Sequence, residues 1–172
     1  GKTDQKELLK DLYFKPTCNI CGLTSGFQGD GSKTVLPSEA SVKIDFRLVP
    51  GMDPKKIFQL VREHLDRHGF SDVELIWDSG EPAFRSNLEA PFTKAVIGAL
   101  EKLYDQPVAL KVSSGGTSPM HTFCHQTNIP AGMFGASSAT ANIHAPNEHL
   151  ACSAFIEMIR INCAVMEELS QY

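Results

Sequence analysis

No stretch of this sequence is apolar for anything near the roughly 20 residues that a membrane-crossing helix needs, so a soluble polypeptide is expected. The opening segment, GKTDQKELLKDLY, is charged throughout and lacks the apolar centre of a secretory leader. Positive charge is not in excess either. Sixteen basic residues against 20 acidic ones give a formal charge of -4, so nothing draws the chain to a polyphosphate or an anionic lipid surface. Nucleic acid and membrane are therefore not expected partners. Five cysteines at irregular spacing make no disulfide framework in a chain of this size, which fits reduced thiols and a cytoplasmic setting. Internal repeats and low-complexity tracts are missing too.

What is present is enough for one ordinary core or two small ones, since 42% of the 172 residues are hydrophobic. A helix is expected over Thr3–Leu12, without a strong cap. Thr17–Phe27 reads as a strand, and Gly29, Asp30, Gly31 and Ser32 as a hairpin-type turn. In Ser41–Leu48, Val42, Ile44, Phe46 and Leu48 alternate with polar residues, the period of a half-buried strand. Asp53 and Pro54 form an N-cap and first-turn pair; Ile57, Leu60, Val61 and Leu65 follow at helical spacing, and Gly69 stands at the C-cap position. Val73–Trp77 reads as a further strand. Strand, strand, helix, strand is a ferredoxin-like α+β unit lacking its first strand and helix. After residue 87 the period changes. Phe92, Val96, Leu100 and Leu103 mark a helix, Val108–Val112 and Ile129–Phe134 read as strands, and a last helix over Ala151–Leu169 carries Phe155, Ile159 and Met166 on its inner side. That alternation predicts an α/β layer over 88–172.

Three places carry residues suited to chemistry. The segment ANIHAPNEHL, residues 141–150, sets His144 in a loop ahead of the last helix, and neutral imidazole is a good zinc ligand. From spacing alone a surface or hydrogen-bonded loop histidine is the commoner outcome, and His149 is read as that. The segment SSGGTSP, residues 113–119, has Gly115 and Gly116, which let backbone N–H groups approach an anion, and Thr117 as a hydroxyl donor. It lacks the phosphate-loop lysine pattern, and a plain strand-to-helix connection is an equal reading. Arg47, on the polar face of its strand beside Lys43 and Asp45, can clamp a carboxylate with two parallel hydrogen bonds, although a solvated arginine is more usual. Cys18 and Cys21 are set three apart in a strand, so they are expected on opposite faces and not as a metal-binding pair.

Together SKTVLPSEASVKIDFRLVPGMDP, SSGGTSPM and HAPNEHL, in that order and spacing, resemble the two-zinc metallopeptidases that include carnosine-type dipeptidases, aminoacylase, acetylornithine deacetylase and succinyl-diaminopimelate desuccinylase. The resemblance covers almost the whole chain. It implies a lid and dimerisation domain over residues 1–87, joining two copies as a homodimer, and the C-terminal part of a zinc-exopeptidase-type catalytic domain over 88–172. His144 matches the family's last zinc ligand. Arg47 and Thr34 match lid residues that contact a substrate carboxylate, and Thr117 matches the hydroxyl residue of the glycine loop.

The same resemblance implies two zinc ions per complete site, which activate a water for attack on the carbonyl of a dipeptide or N-acyl amino acid. The other ligands, the catalytic glutamate and a lid histidine belong to an N-terminal half ahead of Gly1. No residue here is therefore assigned a catalytic role, and the chain alone is expected to be inactive. Thr34 leans toward a dipeptidase and SGGTS toward a desuccinylase, so both substrate classes stay open. The rivals are a non-catalytic dimerisation module and, last, a ferredoxin-like RNA binder, whose aromatic stacking face Cys18, Ile20, Lys43 and Asp45 do not supply.

Overall fold

Asp4 opens the first helix by taking an amide that no turn of helix can satisfy: its carboxylate accepts the Lys6 N–H at 2.9 Å. Helix α1 (Gln5–Phe14) thus has the N-cap that the sequence reading did not credit. The computed structural model describes residues 4–111, 113–114, 116–135, 137–138 and 140–171. They divide into two compact units, Gly1–Phe84 with Val112–His121, and Arg85–Lys111 with Thr122–Tyr172.

In the first unit β1 (Thr17–Ser25) pairs antiparallel with β2 (Ala40–Arg47). The register sets Cys18, Ile20 and Leu23 opposite Phe46, Ile44 and Val42. Ile20 and Leu23 are three apart and would face opposite ways in an unbroken strand. A bulge between Ile20 and Gly22 resets the alternation and returns Leu23 to the apolar row. Opposite faces for Cys18 and Cys21 would need an unbroken strand; Cys21 falls at the bulge, its thiol 3.4 Å from the Lys43 carbonyl oxygen. The connection is no tight hairpin turn but the longer segment 26–39, in which Gly26 and Gly31 take positive φ.

Helix α2 (Pro54–Arg67) follows its sequence signals closely. Asp53 accepts the amides of Lys55 at 2.8 Å and Lys56 at 3.4 Å, and Pro54 fills the first turn. At the other end Gly69 has φ +83°, Phe70 N–H reaches the Leu65 carbonyl at 2.9 Å and Gly69 N–H that of Asp66 at 3.1 Å, the paired bonds of a Schellman cap. Arg62 then ties the exit of the helix down, donating to the carbonyls of Phe70 at 2.8 Å and Val73 at 2.5 Å.

Val73–Trp77 is not a strand. A strand exists through a ladder, and among the described residues the sheet has two strands only, with the Val73 carbonyl already taken by Arg62. Where a ferredoxin-like unit was expected, the described residues form a two-stranded sheet with helices α1 and α2. Residues 108–111 and 129–134 are likewise unladdered, so the α/β layer expected over 88–172 appears as helices and irregular chain. Hydrophobic runs are alike in a strand and in extended chain; only a neighbouring strand decides. Residue 112 lies outside the described residues.

The second unit holds the core. Helices α3 (Pro91–Tyr104) and α4 (Cys152–Leu169) bury Val96, Ala99, Leu100, Ile161 and Val165 against one another, with Phe92, Leu103, Met158 and Leu169 around them. Helix α4 is apolar on two sides, and the side turned to α3 is that of Met158, Ile161, Val165 and Leu169. Phe155, Ile159 and Met166, expected inside, are exposed. Polar ties flank the seam. Lys102 meets Glu168 at 2.6 Å, and the Tyr104 hydroxyl donates to Glu157 at 2.6 Å. Among the described residues no helix is long and apolar enough to cross a membrane.

Two predictions follow from the seam. Ile161→Ala is expected to destabilise the second unit by about 2–5 kcal/mol, and Ile159→Ala by under about 0.5 kcal/mol, as read by denaturant melts. The bond from Tyr104 holds the Glu157 carboxyl below the usual carboxylate range, and the same bond holds the Tyr104 phenol above its ordinary value. A lowered acid stabilises above its unfolded pKa and loses that as pH falls through the folded one; a raised phenol stabilises below its unfolded pKa and loses that as pH rises through the folded one. Tyr104→Phe should flatten the stability profile on both sides, measured by melts at acid, neutral and alkaline pH.

Candidate functional site

Arg47 ends β2 on the same face as Asp45, two residues before it. The guanidinium Nε donates to Asp45 Oδ2 at 2.9 Å, and Nη1 donates to Thr117 Oγ1 at 2.9 Å. An exposed ion pair of this kind is worth only about 0–1 kcal/mol. Its effect is geometric: two bonds, one from the strand and one from a distant loop, fix the plane of the guanidinium. The group has five N–H donors in a rigid fork, so donors remain beyond those two bonds, and the arginine side chain is about half exposed at 49%. A fixed, accessible fork is suited to a carboxylate.

Thr117 lies one residue past Gly116, whose N–H is held by Ser114 Oγ at 3.3 Å. The loop thereby presents its hydroxyl to the arginine from a turn closed on itself. Gly115 lies outside the described residues. Thr34 is exposed in the segment 26–39, and among the described residues no hydrogen bond joins it to Arg47 or Thr117. Sequence reasoning singled out Arg47 and Thr117 separately; the structure joins them. It had not given Asp45 or Ser114 a part. For Asp45 a signal existed, since an acid two residues before an arginine on a strand shares its face. Ser114 left none, because a serine in a glycine-rich segment bonds its neighbours whatever the segment does.

His144 belongs to the second unit, at the tip of a loop. Ala141 is buried at its base, where its carbonyl accepts the His149 N–H at 3.0 Å, and Ala145 N–H closes on the Asn142 carbonyl at 2.9 Å. His149 Nδ1 also lies 3.0 Å from the Asn147 carbonyl. His149 is therefore a structural residue of the loop. His144 is exposed and has φ +62°, flanked by Asn142 and Asn147 at φ +53° and +62°. Asparagine takes the left-handed region readily, whereas a ring-bearing residue there carries strain of about 1 kcal/mol or more. Among the described residues no three histidine, cysteine, aspartate or glutamate side chains gather as a metal site. A structural or catalytic zinc site takes three or four protein donors, and the described residues do not by themselves assemble one.

Residues 4–73 match the peptidase dimerisation domain of the M20 family. The chain is 25% identical to a Cys-Gly metallodipeptidase of Schizosaccharomyces pombe, over 97% of its own length and 36% of that protein. It is 29% identical to a succinyl-diaminopimelate desuccinylase of Bordetella petrii, over 91% of its length and 39% of that enzyme. Its fold superposes on an M20 family metallo-carboxypeptidase from Sulfolobus solfataricus with a TM-score of 0.86 at 32% identity, over 95% of this chain and 38% of that one. The chain thus spans little more than a third of the relatives it matches.

The left-handed backbone at His144 sets a testable expectation. His144→Gly should leave stability unchanged or raise it by up to about 1 kcal/mol, because glycine has no Cβ to strain. His144→Val, β-branched, should lower it by about 1–2 kcal/mol. Thermal melts of the two variants check the order.

Proposed function

Because this chain belongs to the M20 peptidase family, we propose that it is the lid domain and the closing part of the catalytic domain of a metal-dependent hydrolase of small peptides or N-acyl amino acids. In this reading residues 1–87 form the lid, ferredoxin-like in plan and joining two copies in a homodimer, and residues 88–172 belong to the catalytic domain. The remaining catalytic groups come from polypeptide outside this chain, in keeping with the third of its relatives that it spans. The free cysteines suit the cytoplasm.

The observation that carries the proposal is the Arg47 guanidinium, fixed by Asp45 and Thr117 with donors to spare. A dipeptide or an N-acyl amino acid ends in a carboxylate, which a planar guanidinium binds through two parallel hydrogen bonds. Thr117, Gly115 and Gly116 would add donors from the loop, and Thr34 would join from the lid as it closes. Held at that end, the substrate presents its scissile amide at a fixed distance from the anchor, which is the entropic part of catalysis. His144 would contribute one ligand to a two-zinc site completed from outside the chain, and its strained backbone is the feature that favours a role beyond the surface. A deacylase of the same family would use the same anchor, and the likeness to a desuccinylase keeps that substrate class within the proposal.

In the parent enzyme, Arg47→Ala is expected to raise KM for a dipeptide about 10- to 100-fold, the worth of one or two charge-assisted hydrogen bonds. Hydrolysis of the same dipeptide with an amidated C-terminus should be equally slow in both enzymes. An unchanged KM in the variant would contradict the proposal. This chain alone, supplied with zinc, is expected to hydrolyse neither substrate, and His144→Ala should lower the zinc content of the parent enzyme.

A further inference from the structure

We propose that His64, in the last turn of α2, and His68, the C-cap that follows it, form a two-histidine chelate for a borderline divalent transition-metal ion such as Zn2+, Ni2+ or Cu2+. Residues four apart share one face of a helix, and the two rings have their centroids 4.4 Å apart, tilted by 44°. A tetrahedral ion with imidazole nitrogens at about 2.0–2.1 Å needs those nitrogens roughly 3.4 Å apart. Rings already this close reach that separation by rotation about χ2, which has broad minima.

The backbone beneath the pair is held in place. His68 N–H donates to the carbonyls of His64 at 3.2 Å and Leu65 at 3.1 Å, and the Schellman cap at Gly69 and Phe70 locks the next two residues. Arg62 fastens the following chain to the helix. Little conformational freedom is left to lose at the backbone when an ion binds, and the negative end of the helix dipole favours a cation there. Both histidines are exposed, so the ion need not shed all its water. Among the described residues no third donor joins them. The open coordination positions are left to water or to a side chain of another molecule. Nitrogen donors without carboxylates select zinc, nickel and copper over magnesium and calcium.

The test is a titration of this chain with Zn2+, followed by calorimetry and by the residue-resolved NMR signals of the imidazole rings. The expected result is saturable binding that shifts the His64 and His68 rings together. Either His64→Ala or His68→Ala should weaken that site on the order of tenfold or more, while His144→Ala leaves it intact and Mg2+ produces no response. Circular dichroism checks that the variants keep α2. Rings of His64 and His68 that ignore Zn2+, or alanine variants that bind it as the parent chain does, would overturn the proposal. Because His144→Ala is scored separately, such a failure leaves the hydrolase reading standing.

Discussion

Burial of apolar surface at the seam between α3 and α4 is the constraint on which the second unit, the one with a core, depends. Val96, Ala99, Leu100, Ile161 and Val165 form its cluster of buried residues, and the valine, leucine and isoleucine side chains among them each contribute about 1.5–3 kcal/mol on burial. The first unit has nothing comparable: among its described residues Pro54 alone is buried. Leu8, Leu12, Ile20, Leu23 and Leu60 are all open. An isolated two-stranded sheet is marginal in water, so this unit relies on local devices instead: the Asp4 and Asp53 caps, the Schellman turn and the Arg62 staple. A domain whose apolar side chains stay open has surface to offer a partner, which suits the proposed role in dimerisation.

Against that background the Arg47 clamp is the first unit's most specific arrangement. Its partners come from neighbouring strand residue and distant loop, and both bonds are short. Neither adds much stability at this exposure. What they provide is orientation, and orientation is what recognition of a flat, two-oxygen anion requires. The His144 loop is the corresponding feature of the second unit, with strain held at one residue by hydrogen bonds on either side of it.

Much of this was legible in the sequence, for local reasons. The limits of α2 are written in Asp53, Pro54 and Gly69, because caps act through neighbouring backbone. β2 is written in its alternation, and His149 was correctly read as a loop residue. The failures were non-local. The three extra strands required pairing partners that no hydrophobic run specifies. The inner face of α4 was misjudged because Phe155, Ile159 and Met166 make as good an apolar stripe as Met158, Ile161, Val165 and Leu169, and only the position of α3 chooses between them. The bulge at Cys21 left a trace in the off-period spacing of Ile20 and Leu23 and in Gly22 between them, but only the pairing with β2 shows where the ladder breaks. Within the site, Arg47 and Thr117 were each marked by residue type, whereas their contact across 70 positions of sequence is a product of folding.

The central claim is that the Arg47 fork receives a carboxylate, and NMR of this chain measures it most directly. Titration with a small dipeptide should shift the Arg47 Nε–H and Thr117 amide signals saturably, and the same dipeptide with its C-terminus amidated should leave them unmoved. Equal shifts with both ligands, or none with either, would contradict the account.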